Sequence, residues 1–309
     1  MVEMSGSAGR GEIVLRPGVV LNAAGVVIAR KPVNWPLLAA TAVVVAVSAA
    51  LVSAFATSPN LHWDVVAAYL FHPHILKGVV VTLELTIVAI IVAFGLGVVL
   101  AAMQQSRSLL LRTVSGFYIW FFRALPLLIQ LVLWFNLALL FPNLGIGIPG
   151  TDLFYGWETN ALVTPFVAAL LGLALHEAAY MAEVVRGGIL AVPEGQTEAA
   201  LSIGMTPGAA LWRIVLPQAL RVIVPPVGNQ FIMLLKASAM VSVIGGGDLL
   251  TASQNIYSLN YEVIALLIVA SIWYMAIVTV SSAAQYAIER RLARSTRAAS
   301  AGPRAVRGA

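Results

Sequence analysis

The chain has 309 residues, of which 60% are hydrophobic and only 10% charged, and its mean hydropathy is +0.93. A soluble domain carries about a quarter charged residues, so a chain this poor in charge cannot cover a water-facing surface and takes lipid as its solvent. It has no cysteine, which excludes disulfides, thiolate metal sites and cysteine nucleophiles; the net charge of +5 raises nucleic acid as a partner, a reading that the position of the basic residues removes.

In chain order, residues 1–35 read as a polar tail, and Pro36–Thr57 as the first apolar run. Arg30 and Lys31 before that run, and Ala54-Phe55-Ala56 near its end, resemble a cleaved signal peptide. The run exceeds the roughly 7–15 residues of a signal core and a long tail precedes it, so an uncleaved anchor is expected. Further spans of about 20 apolar residues, enough for a ~30 Å hydrocarbon core, are expected near Gly78–Met103, Gly116–Phe141, Ala161–Gly187, Val222–Ile244 and Val263–Ile288. Turns are expected at Pro59-Asn60, from Gly145 to Gly150 and at Gly245-Gly246-Gly247. Residues 289–309 form a basic tail.

The predicted class is therefore an all-α polytopic membrane protein with about six transmembrane helices. Lys and Arg are retained on the cytoplasmic side. With the N-terminus inside, every Lys and Arg except Lys77 and Lys236 falls in or beside a cytoplasmic segment, and the outer loops carry Asp64, Asp152, Glu158, Asp248 and Glu262. Both termini are then cytoplasmic. The positive charge is a topology signal, and no nucleic acid is required.

Between the fourth and fifth spans, Pro193 to Pro217 is too polar to cross a bilayer and reads as two short helices. The first covers about Glu194–Ile203 and stops at Gly204, the residue type that tolerates a left-handed turn. Thr206 and Pro207 supply an N-cap and a first-turn proline for the second, which is expected to end near Pro217. An interfacial hairpin held on the headgroups by Trp212 and Arg213 is the alternative. Glu198-Ala199-Ala200, then Gly204, then Ile214, Leu216 and Pro217 resemble the EAA loop of bacterial ABC-importer permeases. The resemblance implies a segment docking into a cleft of a cytoplasmic ATPase. Thr82-Leu83, the run Arg123 to Gln130, Ala179 to Ile189, Pro193 to Gln196 and Pro225 to Gln230 resemble more narrowly the polar amino-acid permeases of histidine, glutamine and arginine uptake type.

That resemblance covers about Gly78–Ile288 and implies a five-span core, with Pro36–Thr57 as an added helix. The chain departs from the family's pattern at Ala124-Leu125 and at Ala237 to Met240. There is no GxxxxGK[ST] phosphate loop. The expected assembly thus has a separate ABC ATPase dimer holding ATP and Mg, a second permease chain, identical or homologous, and an extracytoplasmic solute-binding protein. The chain itself is expected to bind no cofactor or metal, to catalyse nothing, and to lie in a bacterial inner membrane.

An ionisable side chain at mid-bilayer costs about 2.5–3.5 kcal/mol on insertion scales, so each calls for a partner, water or a function. Helical rise puts Glu84 and Lys236 at similar depth, which predicts an ion pair between spans two and five, with contact to a substrate in the pathway as the alternative. Arg123 and Glu177 share the inner third; either they neutralise each other, or they hold the two ends of an α-amino acid. Glu183 and Arg186, three residues apart, are expected to pair. His176, Tyr180 and Glu183 share one face of the fourth span, while Gln130 and Asn229 either line a pathway or join helices by hydrogen bonds. A secondary transporter using Glu84, Glu177 or Glu183 as a relay is the rival function; an intramembrane enzyme has no supporting residue set.

Overall fold

A computed structural model describes residues 19–21, 27–29, 34–59, 61–147 and 155–300, with side chains in the last helix through Leu292. The tail residues Arg10, Arg16, Arg30, Lys31, Arg304 and Arg307, together with Asn60, Gly150 and Asp152, lie outside the described residues, as do the side chains of Arg294 and Arg297.

The chain divides at Leu61 into two units. The first holds an antiparallel pair, β1 (Val19–Leu21) with β2 (Val27–Ala29), and a 22-residue helix, α1 (Trp35–Ala56). Asn34 starts α1 by accepting a hydrogen bond from the Leu37 amide, and Pro36 sits in its first turn, where a missing N–H costs nothing. At 1.5 Å per residue α1 is about 33 Å long, sufficient to cross the hydrocarbon core.

The second unit opens with α2 (Trp63–Leu70) and the 32-residue α3 (Pro73–Gln104), which begins five residues before the expected span. The third span is not continuous. It is two helices, α4 (Leu109–Ala124) and α5 (Leu127–Phe135), bent by 101° between them. Pro126 explains the break: it has no N–H for the Phe122 carbonyl and forces Leu125 into an extended conformation (φ −86°, ψ 132°). A single turn, α6 (Leu137–Leu140), leads to a hairpin of β3 (Asn143–Ile146) with β4 (Tyr155–Glu158). Gly145, expected in a turn, instead pairs with Gly156 inside that hairpin.

After α7 (Thr159–Leu162), the fourth span is α8 (Pro165–Leu190), capped by Thr164. It forms the centre of the unit. Ala168, Ala169, Gly172, Ala174, Ala178, Ala179 and Ala182 let neighbouring backbones approach, as close packing in lipid demands. A Cβ on Gly97 of α3 would sit 2.6 Å from the Met181 Cβ of α8, so only glycine permits this crossing.

The next segment comprises α9 (Glu194–Ser202), α10 (Pro207–Ala210), a π-helical turn over Leu211–Val215, and α11 (Leu216–Ala237). The second helix expected within Pro193–Pro217 therefore does not end near Pro217 but runs on into the fifth span. An α-helical Pro217 would press on the carbonyl four residues back; the wider turn just before it removes that contact, and the Gln218 side chain donates to the Ile214 carbonyl at 2.9 Å. The span finishes in a 3-10 stretch, Ser238–Ile244, stopped by Gly245 at φ +66°. Two helices complete the fold, α12 (Leu249–Asn260) and the 38-residue α13 (Val263–Ser300). Among the described residues, five single helices, or six spans with the bent α4–α5 pair, are long and apolar enough to cross a membrane.

Candidate transport site and coupling segment

The break between α4 and α5 creates the first polar centre. Gln130, one turn into α5, is buried, and its amide nitrogen lies 3.0 Å from the Phe122 carbonyl, 2.9 Å from the Leu125 carbonyl and 3.0 Å from His176 Nδ1. The Phe122 carbonyl is the one that Pro126 leaves without a donor. Gln130 therefore replaces the lost backbone bond and ties the bend to α8. Of the two roles open to it, Gln130 joins helices.

His176 and Tyr180 stand a turn apart on α8, their ring centroids 5.2 Å apart, and the Arg123 guanidinium lies over the Tyr180 ring at 5.3 Å. Arg123 is thus held by an aromatic face at the end of α4. It is not paired with Glu177, which is buried on α8 with its Oε1 unpartnered. The mutual neutralisation expected of these two is absent. Tyr118, which the sequence did not single out, donates from its hydroxyl to the Leu175 carbonyl at 2.9 Å and joins α4 to the same part of α8.

The Glu84–Lys236 pair is absent as well. Both side chains are exposed on the isolated chain, and the ion pairs among the described residues are His62–Glu262 and Glu183–Arg186. Helical rise fixes depth but not azimuth, and Glu84 lies on the face of α3 opposite its buried residues Thr82, Ala89 and Ala93. The Glu183–Arg186 pair forms as expected, at 2.6 Å, and Gln104 of α3 adds a bond to Glu183. Asn229 accepts from Gln285 of α13 at 2.9 Å; Gln285 also reaches Glu289, and a Cβ on Gly228 would meet its side chain at 2.9 Å. Helix joining was one of the two roles open to Asn229; its partner Gln285, 56 residues away, was not legible in the sequence.

In the coupling segment, Gly204 has φ +85°, with Gly204 and Met205 donating to the Leu201 and Ala200 carbonyls. Thr206 caps α10 by accepting from the Ala209 amide. Glu198, Ala199 and Gly204 are exposed, as are Leu201 and Ile203, whereas Ala200 is buried in its own chain. Ile214 and Leu216 are half-buried and Pro217 is exposed. The segment thus presents an exposed ridge, Glu198 to Gly204, while Val215 and Ala219 anchor its far side beside Val185 and Ile223.

Residues 93–294 match the family described as binding-protein-dependent transport system inner membrane component. The chain belongs to this family. Among curated relatives, the arginine transport system permease protein ArgU of Corynebacterium glutamicum is 37% identical over 262 residues, 84% of this chain and 80% of its own length. The L-cystine transport system permease protein TcyB of Bacillus subtilis is 35% identical, over 75% of this chain and 92% of that protein. A crystal structure of an amino acid ABC transporter with histidines superposes with a TM-score of 0.62 at 34% identity, covering 73% of this chain and 97% of the other. The chain is an ABC-importer permease, a multi-pass membrane subunit working with ATPase and substrate-binding components. This removes the secondary transporter.

Proposed function

We propose that this permease carries polar amino acids across a bacterial inner membrane, taking them from a separate solute-binding protein and hydrolysing no ATP itself. The observation that carries the substrate class is the separation of Arg123 and Glu177: the guanidinium lies over Tyr180 and the buried carboxyl keeps a free oxygen, so neither is spent on the other. An α-amino acid presents an ammionium-type cation and a carboxylate, and asks for one acceptor and one donor. Its relatives' names, an arginine and an L-cystine permease among them, support the same class.

On this reading residues 78–288 form the transport core, α1 is an added membrane helix, and residues 193–217 dock on the ATPase dimer, which holds ATP and Mg. Both termini are cytoplasmic. Arg107 in the α3–α4 loop, Arg186 near the end of α8, Arg213 and Arg221 around the start of α11, and Arg290 and Arg291 in the C-terminal part of α13 fall on the side assigned to the cytoplasm, in keeping with positive charge kept inside. His176 and Tyr180 shape the pathway wall.

The test is reconstitution of the tagged chain with its co-purifying ATPase and receptor in proteoliposomes, assayed with radiolabelled arginine, glutamine and cystine. ATP-dependent uptake of one of them is expected, with none from the lone chain. Arg123→Gln and Glu177→Gln should each abolish uptake, and Arg123→Glu with Glu177→Arg should not restore it. Recovery in that double variant would show a structural pair; ion-driven uptake by the lone chain would refute the importer reading.

A further inference from the structure

Two stripes of side chains bound one groove at the coupling end of the molecule. The first follows α3 through Phe94, Val98 and Ala102 to Gln105 at its C-cap; the second follows the π-helical turn into α11 through Trp212, Leu216, Leu220 and Ile223. Both advance in steps of three and four, the spacing of one helix face. Between them α8 contributes Val185 and Ile189. The groove exists because α8 draws both neighbours onto itself: Gly97 lets α3 close on Met181, and Gly188 admits Ile223 of α11. Two helices seated on a third leave a furrow between their flanks.

From Phe94 to Gln105, and from Trp212 to Ile223, is roughly 16 Å of helix each, about half of a ~30 Å hydrocarbon core. The groove therefore has the length of one lipid leaflet. Its volume is about 450 Å³. Over that length this leaves roughly 28 Å² in section, which suits an extended hydrocarbon chain better than a helix about 10 Å across. The walls are apolar up to the end where Gln105 and Trp212 stand, and no acidic side chain lines them. Trp212 is 70% exposed, and tryptophan favours the headgroup level of a membrane. Arg213 follows it in the chain, and Arg107 lies two residues beyond Gln105. Both arginines are exposed, and the ion pairs among the described residues, His62–Glu262 and Glu183–Arg186, use neither.

We propose that this groove holds one acyl chain of an anionic phospholipid, with Arg213 and Arg107 meeting the headgroup and Gln105 and Trp212 standing at its level. On the orientation proposed above this is a lipid of the cytoplasmic leaflet; the opposite orientation renames the leaflet and leaves the fit unchanged. The acyl chain fills the space between α3 and the root of α11, where the coupling segment continues into its span. That root is the π-helical turn, a form that recurs at functional sites, and it supplies Leu211 and Trp212 to the wall.

The complex of this chain with its ATPase and receptor is stripped of lipid in detergent and titrated with phosphatidylglycerol or phosphatidylcholine, bound lipid being counted by native mass spectrometry. One phosphatidylglycerol per copy of this chain is expected, held about five-fold or more tighter than phosphatidylcholine. Ala102→Trp and the milder Val98→Phe fill the groove and should weaken that site, the first by ~10-fold or more, the loss of about two buried methylenes. Val99→Trp, on α3 but outside the groove, should not weaken it. Arg213→Gln should keep the lipid and lower the preference for phosphatidylglycerol about five-fold, the share of one arginine beside an anionic headgroup.

Equal lipid binding by the wild type and both groove-filling variants overturns the proposal, as does a headgroup preference that Arg213→Gln leaves unchanged. The chain has no cysteine, so a benzophenone maleimide on Ala102→Cys labels one place. Irradiated in membranes, it should mark phospholipid; marking of another protein chain would put that chain in the groove and overturn the proposal too. None of these measurements uses uptake, so their failure and a failure of the amino-acid reading are told apart.

Discussion

Replacing Gln130 by leucine tests whether the bend in the third span is held by one side chain. Gln130 is buried and its nitrogen lies within 3.0 Å of the Phe122 and Leu125 carbonyls and His176 Nδ1, with two N–H groups to share among them. Hydrogen bonds measured within membrane proteins average about 0.6 kcal/mol, so losing two costs about 1.2 kcal/mol as a floor. At about 2–4 °C per kcal/mol for a large domain, the thermal midpoint of the purified complex should fall by at least ~2 °C. Leucine keeps the volume, which separates the lost bonds from a cavity. The decisive comparison is the same substitution in a Pro126→Ala background. Alanine restores an N–H that can serve Phe122, so the penalty of Gln130→Leu should shrink by about 0.6 kcal/mol or more. An unchanged midpoint for Gln130→Leu, or an equal penalty in both backgrounds, would refute the account.

Three further outcomes follow from local geometry. At Gly204, φ is +85° with open space around it, so Gly204→Val should cost roughly 1–2 kcal/mol through the backbone alone and weaken ATPase co-purification, whereas Gly204→Asn should retain most of it. A Cβ on Gly188 would stand 2.2 Å from Ile223 Cγ1, so Gly188→Ala should lower the midpoint by about 1–3 kcal/mol equivalent, and Ile223→Ala in the same chain should recover part of it. Asp248, outside the membrane-crossing helices, caps α12 through the Leu250 amide at 3.0 Å and the Thr251 hydroxyl, and burial raises its carboxyl above the ordinary aspartate range. The folded state then binds more protons than the unfolded one between the two pKa values, so this group's contribution falls as pH rises through that window. Asp248→Asn should keep the cap and flatten that part of the melting-temperature profile, while Asp248→Ala should lose about 1 kcal/mol below that window and less above it.

Much of the fold is legible because lipid imposes a simple rule: apolar runs of sufficient length become helices. That rule locates the helices without saying where they break. The third span reads as continuous because Phe117 to Ala124 and Leu127 to Phe135 are each apolar but for one residue, Arg123 and Gln130, and hydropathy does not register a change of direction. Pro126 was the signal, and Gln130, four residues on, was its counterpart. Local rules performed well where the partners are close in sequence, as with the positive φ of Gly204, the Thr206 cap and the Glu183–Arg186 pair. They failed where two helices must be rotated relative to each other. Depth along α3 and along the fifth span was computable, but their rotations were not, and so a pairing of Glu84 with Lys236 in one chain was expected where the structure turns both outward.

The unexpected continuity through Pro217 bears on how a movement at the coupling segment reaches the pathway. Had the second coupling helix ended there, a flexible joint would separate docking from transport. Instead residues 207–244 form one unbroken helical run, from α10 through the π turn and α11 to the 3-10 stretch. Such a run transmits displacement along its length, because shifting one turn breaks or moves the bonds of the next. Its base is gripped by α8, where Gly188 admits Ile223 and Val185 packs with Val215 and Ala219. The same α8 carries His176, Glu177 and Tyr180 two to four turns above that grip. If the ridge from Glu198 to Gly204 docks on the ATPase as proposed, a push there reaches two helices at once: the one bearing Lys236 and the one bearing the candidate substrate residues. Beyond the run, Gly245 and Gly247 take left-handed φ values of +66° and +82°, ending helical bonding without a Cβ to resist the turn.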